Sequence, residues 1–371
     1  MPGTKEEQLV YESGIRPLGI EIMMRKAAYY ERTIRLGGEQ HSRAMRMDPP
    51  ISAQNKRRKN GIPMEGQYIK VPMHECRDAA IMILNSFQIN PEKINRVPLL
   101  CIPTIAPWAR TNEHKIRIVP KIESIKKKSD LSMEEQSALV QATIDSYEHA
   151  TIRFFCDGSS HITLRRSGAA AIIYRKINGT WVLVSKGTVA SGTLACSFTS
   201  ETAGLKGALI SILRDIILHL EDGAVEVIVG FIDCSSLLQA LDSRSIQQED
   251  RELEIIWKLL LKIGKIHSVT LQHIFSHCSI EQSDKVDLLA NEASLLCQDG
   301  IPIAYRDSKA LIRAWGKAEM KKIITPFVES LGMMPRLRNT HMEYHQTDKG
   351  MRFHYGTQGL TPLPCIVRND A

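Results

Sequence analysis

Four carboxylates stand where a single metal site could be built: Asp157, Glu201, Asp233 and Asp287. Hydrolysis of a phosphodiester bond places negative charge on both the attacking and the leaving oxygen, and two divalent ions about 3.5–4 Å apart can stabilise both charges. Mg²⁺ prefers oxygen ligands in octahedral geometry and keeps several of its waters, so aspartate and glutamate are the side chains expected to hold it. The residue types therefore indicate a two-metal Mg²⁺ centre, in which Mn²⁺ can substitute.

Two of the carboxylates are predicted to follow strands. Apolar residues alternate over 151–156, which predicts a strand that ends at Asp157. The run 225–232 is almost continuously apolar, as expected of a central strand covered on both faces, and it leads directly to Asp233. If the two strands are neighbours, the two carboxylates lie side by side.

The other two carboxylates are predicted to lie on helices. Thr199 or Ser200 can cap a helix whose apolar residues recur at helical spacing, which places Glu201 in its first turn. A last helix, over about 284–297, carries Asp287 in its first turn. A Glu in a first turn is ordinarily explained by the helix dipole alone, so the interpretation of Glu201 depends on the whole set.

Turn and periodicity signals predict the remaining elements. The pair Asn178-Gly179, between 169–176 and 181–185, is a strong signal for a β-hairpin. We also predict a strand over 186–191, a helix over 249–263 and a strand over 268–275. The chain therefore belongs to the α/β class over this region.

With these elements in this order, residues 151–298 resemble a type 1 ribonuclease H domain of the kind found in retroelement polyproteins. The resemblance implies a ribonuclease H-like fold: a mixed five-stranded sheet, with three antiparallel strands and then two parallel ones, and helices on both faces. Each motif is weak alone, and the set is specific: Cys156-Asp157-Gly158-Ser159, Ser200-Glu201-Thr202-Ala203-Gly204-Leu205, Ile232-Asp233-Cys234-Ser235-Ser236-Leu237, and Ser276-His277 followed by Val286-Asp287-Leu288-Leu289-Ala290-Asn291.

The resemblance also implies a reaction and its residues. The four acids would hold two Mg²⁺ ions, and His277 would assist proton transfer or the release of product and metal. The implied reaction is endonucleolytic cleavage of the RNA strand of an RNA–DNA hybrid, which leaves a 3′-hydroxyl and a 5′-phosphate. Contacts to 2′-hydroxyls across a wide minor groove would select the RNA strand. A small-molecule substrate is not expected.

The sequence departs from the family pattern in three places. Gln282-Ser283-Asp284 stands where the family often has Gly-Asn-Glu, and Cys234 replaces a common serine. The short polar stretch from Asp242 to Asp250 leaves no room for the basic helical protrusion that some members use to grip the hybrid. These departures leave the metal ligands unchanged. The contacts that bind the substrate must come from elsewhere, or the binding must be weak.

Several alternatives remain open at this point. His273 lies close to His277, and Asp284 competes with Asp287, although Asp284 more naturally caps the last helix. The chain could be a catalytically inactive relic that binds hybrid or duplex without cutting. It could also be a DNA transposase or integrase on the same fold, but that family lacks the Glu on the first helix, so Glu201 argues against it.

The rest of the chain is predicted to flank this domain. Residues 1–150 are predicted to be a basic, partly disordered connector with helices near 18–36 and 132–150, and residues 299–371 to be a helical or irregular extension. Residues 11–36 resemble the connector that follows the reverse transcriptase in non-LTR retrotransposon polyproteins. No polymerase motif precedes them, so the chain would be a fragment or a derived gene.

Charged and histidine-containing stretches outside the domain are ambiguous. The run from Lys56 to Lys59 indicates either a nucleic-acid or nuclear-import patch or a solvated linker, and a second run spans Lys126 to Lys128. His341, His345 and His354 lack cysteine partners at zinc-site spacing and are interpreted as incidental.

Composition limits the function classes. The net charge of +7 suits a polyanionic partner. The eight cysteines are scattered without paired spacing, which is typical of a reducing compartment. No signal segment or membrane-length apolar run occurs, so we expect an intracellular protein, nuclear or cytoplasmic, that is not secreted and has no membrane partner. The oligomeric state stays open.

Overall fold

The computed structural model describes residues 14–36, 72–99, 108, 115–123, 128–161, 165–218, 225–244, 250–330, 343–347 and 350–354. Lys56 to Lys59, Lys126, Lys127 and His341 lie outside these residues, as do the side chains of His345 and His354. Within the described part of the chain, no helix is both long enough and apolar enough to cross a membrane.

Eight strands and eight longer helices make up the described residues. The strands are β1 (Ile116–Val119), β2 (Ile152–His161), β3 (Arg166–Ile177), β4 (Thr180–Ala190), β5 (Val227–Ile232), β6 (Ser268–His273), β7 (Glu343–Thr347) and β8 (Gly350–His354). The helices are α1 (Leu18–Thr33), α2 (Pro72–Ser86), α3 (Met133–Asp145), α4 (Ser197–Leu218), α5 (Ser235–Asp242), α6 (Arg251–Gly264), α7 (Glu281–Ala293) and α8 (Tyr305–Ser330).

The first six strands form one mixed sheet in the order β1-β6-β5-β2-β3-β4. Strand β3 is antiparallel to both of its neighbours, β2 and β4, whereas β5 and β6 run parallel to β2. The predicted mixed α/β sheet is therefore confirmed. The predicted number of five strands is wrong, because β1 adds a sixth strand parallel to β6. Its four residues are too few for an alternation signal to stand out, and pairing with the exposed edge of β6 supplies the hydrogen bonds that make it a strand.

Helices cover both faces of the sheet, as predicted. On β2, Phe154 points into a core shared with α4, α5 and α6, whereas its neighbour Phe155 points into a core shared with α3 and α7. Successive side chains of a strand alternate between faces, so a strand that is apolar at consecutive positions is buried on both sides. The central strands are thereby fixed between two helical layers.

The β3–β4 hairpin is confirmed, with a correction to its outer strand. Asn178 and Gly179 both have positive φ, 50° and 83°, as a two-residue type I′ turn requires. Residues 180–190 form one strand rather than two strands that meet at 185/186. The pairing jumps from Ser185 opposite Ile173 to Leu183 opposite Tyr174, so Val184 is an extra residue in a bulge.

Helices α1 and α2, which precede the sheet in sequence, pack against α8, which follows it. Apolar residues of α1, α2 and α8 form one buried cluster that includes Met24, Ile83 and Trp315. The buried Glu31 pairs with Arg35 and Arg96. Beyond α8, β7 and β8 form an antiparallel pair, so the C-terminal extension is not only helical or irregular. Strands separated by two residues are readily joined as a hairpin.

Candidate metal centre

Three of the four predicted acids converge. Asp157, Glu201 and Asp233 each offer one carboxylate oxygen, and the three oxygens all lie within 4.8 Å of one another. Cys156 of β2 lies opposite Ile232 of the parallel strand β5, so the residues that follow them stand side by side. The prediction that the first strand ends at Asp157 is wrong, because β2 continues to pair with β3 as far as His161. Only the pairing of β2 with β5 stops at Cys156. We call the carboxyl end of β5 at Asp233, with Asp157 beside it, the acidic edge.

Two glycines allow α4 to bring Glu201 to this edge. A Cβ at Gly158 would lie 2.3 Å from the backbone nitrogen of Glu201, and a Cβ at Gly204 would lie 2.9 Å from the carbonyl oxygen of Asp157. Neither separation is compatible with a side chain, so α4 lies directly against the backbone of β2. Helix α4 begins at Ser197, earlier than predicted, and Glu201 is therefore in its second turn rather than its first.

Burial leaves two carboxylate oxygens of the site without hydrogen-bond partners. Glu201 is 6% exposed, and its Oε2, like Oδ1 of Asp233, is buried without a partner. A buried charge is costly unless it is paired or coordinates a metal. The three hard oxygen donors fit a divalent cation such as Mg²⁺, which would satisfy these oxygens.

The same crowding raises the pKa of all three acids. Burial, followed by the charge of Asp233, raises the pKa of Asp157 to about 7. Burial and the charges of the other two acids raise the pKa of Glu201 well above its usual value. Burial also raises the pKa of Asp233, although the nearby charges of His277 and Lys128 oppose the shift. Without a cation, the site therefore favours protons.

Asp287 lies next to this group rather than within it. Its charge adds to the effect of burial and of Asp233 in raising the pKa of Asp157. The Nδ2 of Asn291 donates to Oδ1 of Asp287 at 3.2 Å, and Ser159 Oγ donates to Oδ1 of Asn291 at 2.6 Å. Asp287 is thus oriented from β2 through a chain of polar contacts.

Helix α7 differs from the prediction at its start. It begins at Glu281, after Ile280, so Asp287 lies in its second turn and Asp284 in its first. Asp284 does not cap the helix, because no side chain provides that cap. Asp284 does not belong to the group of acids whose oxygens meet at the acidic edge.

The two histidines have different environments. His273 ends β6, and its Nε2 lies 3.2 Å from the carbonyl oxygen of Asp233; burial lowers its pKa. His277 is exposed in the following loop with a φ of 56°. Its charge opposes the burial that raises the pKa of Asp233. His277 is therefore the more exposed of the two histidines.

Sequence reasoning missed two residues that act on the site from outside residues 151–298. Lys128 precedes α3 and contacts Ser276, next to His277. Asp307 of α8 is buried and accepts hydrogen bonds from Cys196 N at 3.0 Å and Thr199 Oγ1 at 2.6 Å. Lysine runs and isolated acids are common in sequences, and only tertiary packing distinguishes these two.

Removal of the Asp307 carboxylate should destabilise the start of α4. Asp307→Ala would leave Cys196 N, Thr199 Oγ1 and Ala304 N without their acceptor. We expect a loss of about 2 kcal/mol in the free energy of unfolding, the scale of a lost helix cap and charged hydrogen bonds. Urea denaturation measures this loss of unfolding free energy. Asp307→Asn keeps one acceptor oxygen and should lose less stability than Asp307→Ala. Equal stability of Asp307→Ala and the wild type would contradict this role.

Comparison with known proteins gives distant structural similarities. No protein family model and no curated protein matches the sequence. The chain is similar to ribonuclease H1 of the halophilic archaeon Halobacterium salinarum, at 19% identity and a TM-score of 0.28, over 38% of this chain and 96% of that one. It is also similar to LC11 ribonuclease H1 in complex with an RNA/DNA hybrid, at 15% identity and a TM-score of 0.30, over 38% and 96%.

A third similarity is to the protease–reverse transcriptase of prototype foamy virus, at 13% identity and a TM-score of 0.31. It covers 39% of this chain and 21% of the viral one. These similarities are too weak to define the fold of this chain, which follows instead from its own strand order and strand directions. These are the ones that the predicted ribonuclease H-like fold requires, with β1 added at the edge.

Proposed function

We propose that the protein is a ribonuclease H, which hydrolyses the RNA strand of RNA–DNA hybrids with divalent metal ions. One observation carries the proposal: one buried and two half-buried acids from two parallel strands and a packed helix meet at one edge, and two of their oxygens are buried without a hydrogen-bond partner among the described residues. A structural ion pair or hydrogen-bond network would have satisfied those oxygens. A cation-dependent site explains why the chain tolerates them.

Each residue then has a role that follows from its position. Asp157, Glu201, Asp233 and Asp287 would hold the metal ions, which activate a water and stabilise the leaving oxygen when bound. The side-chain amide of Asn291 holds the carboxylate of Asp287 in place. His277, exposed in the loop after β6, would assist proton transfer to the leaving oxygen or the release of product and metal.

The origin of the chain is part of the same proposal. The resemblance of residues 11–36 to a retrotransposon connector supports derivation from a non-LTR retrotransposon. The RNA–DNA hybrid as partner is consistent with the net charge of +7. An inactive relic that binds nucleic acid without cutting is the outcome that would replace this proposal.

The proposal is tested by incubating the full chain with a labelled RNA–DNA hybrid, an RNA duplex and a DNA duplex, each in Mg²⁺, Mn²⁺ or chelator. We expect metal-dependent cutting of the hybrid only. Metal-dependent cutting of the DNA duplex would indicate a transposase-like activity instead. Binding of the hybrid without any cutting would leave a non-catalytic binder and would overturn the proposal.

Replacement of His277 should slow the reaction without weakening the affinity for the hybrid. We expect His277→Ala to lower kcat by about 10²-fold, the lower range for the loss of general acid–base assistance. Single-turnover and steady-state rates on the hybrid would separate a slower chemical step from slower product release. His149→Ala, an exposed histidine on the loop after α3, is the matched control and should keep the wild-type rate. A wild-type rate for His277→Ala would remove His277 from the mechanism.

A further inference from the structure

The added strand β1 brings the N-terminal part of the chain to the acidic edge. Strands β1, β6, β5 and β2 are all parallel, so their carboxyl ends lie at the same end of the sheet. The residues that follow β1 are held there by side chains of the ribonuclease H-like domain. Ser235 Oγ donates to the carbonyl oxygen of Pro120 at 3.0 Å, and Gln272 Nε2 donates to that of Lys121 at 3.4 Å.

Lys128, farther along this segment, is fixed beside the loop that carries His277. Its Nζ donates to the carbonyl oxygen and to Oγ of Ser276, at 3.3 and 3.2 Å, and lies 5.4 Å from the centre of the Phe275 ring. Its own carbonyl oxygen accepts from Nε2 of Gln136, which α3 holds largely buried. Both the backbone and the ammonium group of Lys128 are therefore held in place by hydrogen bonds.

The charge of Lys128 is available for a ligand. The side chain is exposed, and no carboxylate of the described residues forms an ion pair with it within 4.0 Å. An ammonium group has three donors, and the two contacts to Ser276 leave the third directed elsewhere.

We propose that Lys128 binds a backbone phosphate of the hybrid beside the acidic edge, and so increases the affinity for the hybrid from outside the ribonuclease H-like domain. This inference rests on the proposed function, and it addresses a specific gap. The stretch from Asp242 to Asp250 is too short for a basic protrusion, so a phosphate contact has to come from another part of the chain. A fixed, exposed lysine next to the catalytic loop meets that need, because phosphate contacts position a nucleic acid regardless of its sequence.

The test is hybrid affinity as a function of salt, measured by fluorescence anisotropy with the full chain in chelator, so that the probe stays uncut. We expect Lys128→Met to bind about five- to tenfold more weakly at about 0.1 M salt, and the slope of log K against log salt to be shallower by about 0.7–0.9, the loss of one phosphate contact. Lys128→Arg should keep the wild-type slope.

Lys262→Met is the matched control, because Lys262 is exposed in the last turn of α6, which leads to the amino end of β6, away from the acidic edge. It should bind as the wild type does. A wild-type slope for Lys128→Met would overturn the inference even if its affinity fell. Loss of a purely structural role would lower the affinity without changing the number of counterions released on binding. Absence of hybrid cleavage by the wild type would refute the proposed function and leave this comparison of slopes intact.

Discussion

Asp233→Asn should reduce hybrid cleavage by a factor on the order of 10³ in Mg²⁺. Asparagine keeps the shape of the side chain but removes one negative charge and one carboxylate oxygen from the group of three that meet at the acidic edge. Metal-ion stabilisation of the transition state is worth several kcal/mol, and about 1.4 kcal/mol corresponds to tenfold in rate. Initial rates on a labelled hybrid at saturating protein measure the effect.

Asp242→Asn is the matched control for this substitution. Asp242 is the exposed last residue of α5 and does not belong to the acidic group. It should cleave at the wild-type rate. Loss of activity in both variants, or in neither, would show that the acidic edge is not where the reaction occurs.

The metal-free protein should lose stability as the pH rises, and Mg²⁺ should restore it. The pKa of Asp157 is about 7 in the folded protein, against about 3.9 in an unfolded chain. Between these values the folded state binds more protons, so stability falls with rising pH. The stability is fully present below about pH 4 and is lost as the pH rises through about 7, a loss on the order of 4 kcal/mol for this group.

Thermal denaturation at pH 5 and pH 8, with and without Mg²⁺, measures this linkage. We expect a lower Tm at pH 8 than at pH 5 in chelator, and a rise on adding Mg²⁺ that is much larger at pH 8. Asp233→Asn should have a higher Tm than the wild type at pH 8 in chelator, because one of the mutually repelling charges is gone. A metal-free Tm that is unchanged between the two pH values, with no response to Mg²⁺, would contradict a cation-dependent acidic edge.

The sequence was most informative where local patterns and tertiary contacts agree. The long apolar run of β5 predicted a buried central strand, and Asn178-Gly179 predicted the hairpin turn; both are present. Element boundaries were less accurate. The starts of α4 and α7 depend on the packing and hydrogen bonds of neighbouring segments, which a helical period does not contain.

The contribution of the flanking segments could not be derived from local patterns. β1 has four residues and becomes a strand by pairing with β6. The contacts of Lys128 with Ser276 and of Asp307 with Cys196 join residues more than a hundred positions apart. The convergence of Asp157, Glu201 and Asp233 was predicted from a template of the whole domain, because none of the three local motifs requires a neighbouring acid.

The proposed ribonuclease activity is tested most directly by labelling the two strands of an RNA–DNA hybrid with different fluorophores and following both strands in Mg²⁺. We expect the RNA strand to be shortened to fragments with 3′-hydroxyl and 5′-phosphate ends while the DNA strand stays intact. We also expect chelator to stop the cutting. Cutting of the DNA strand, or an intact RNA strand in the presence of either Mg²⁺ or Mn²⁺, would contradict the proposed activity.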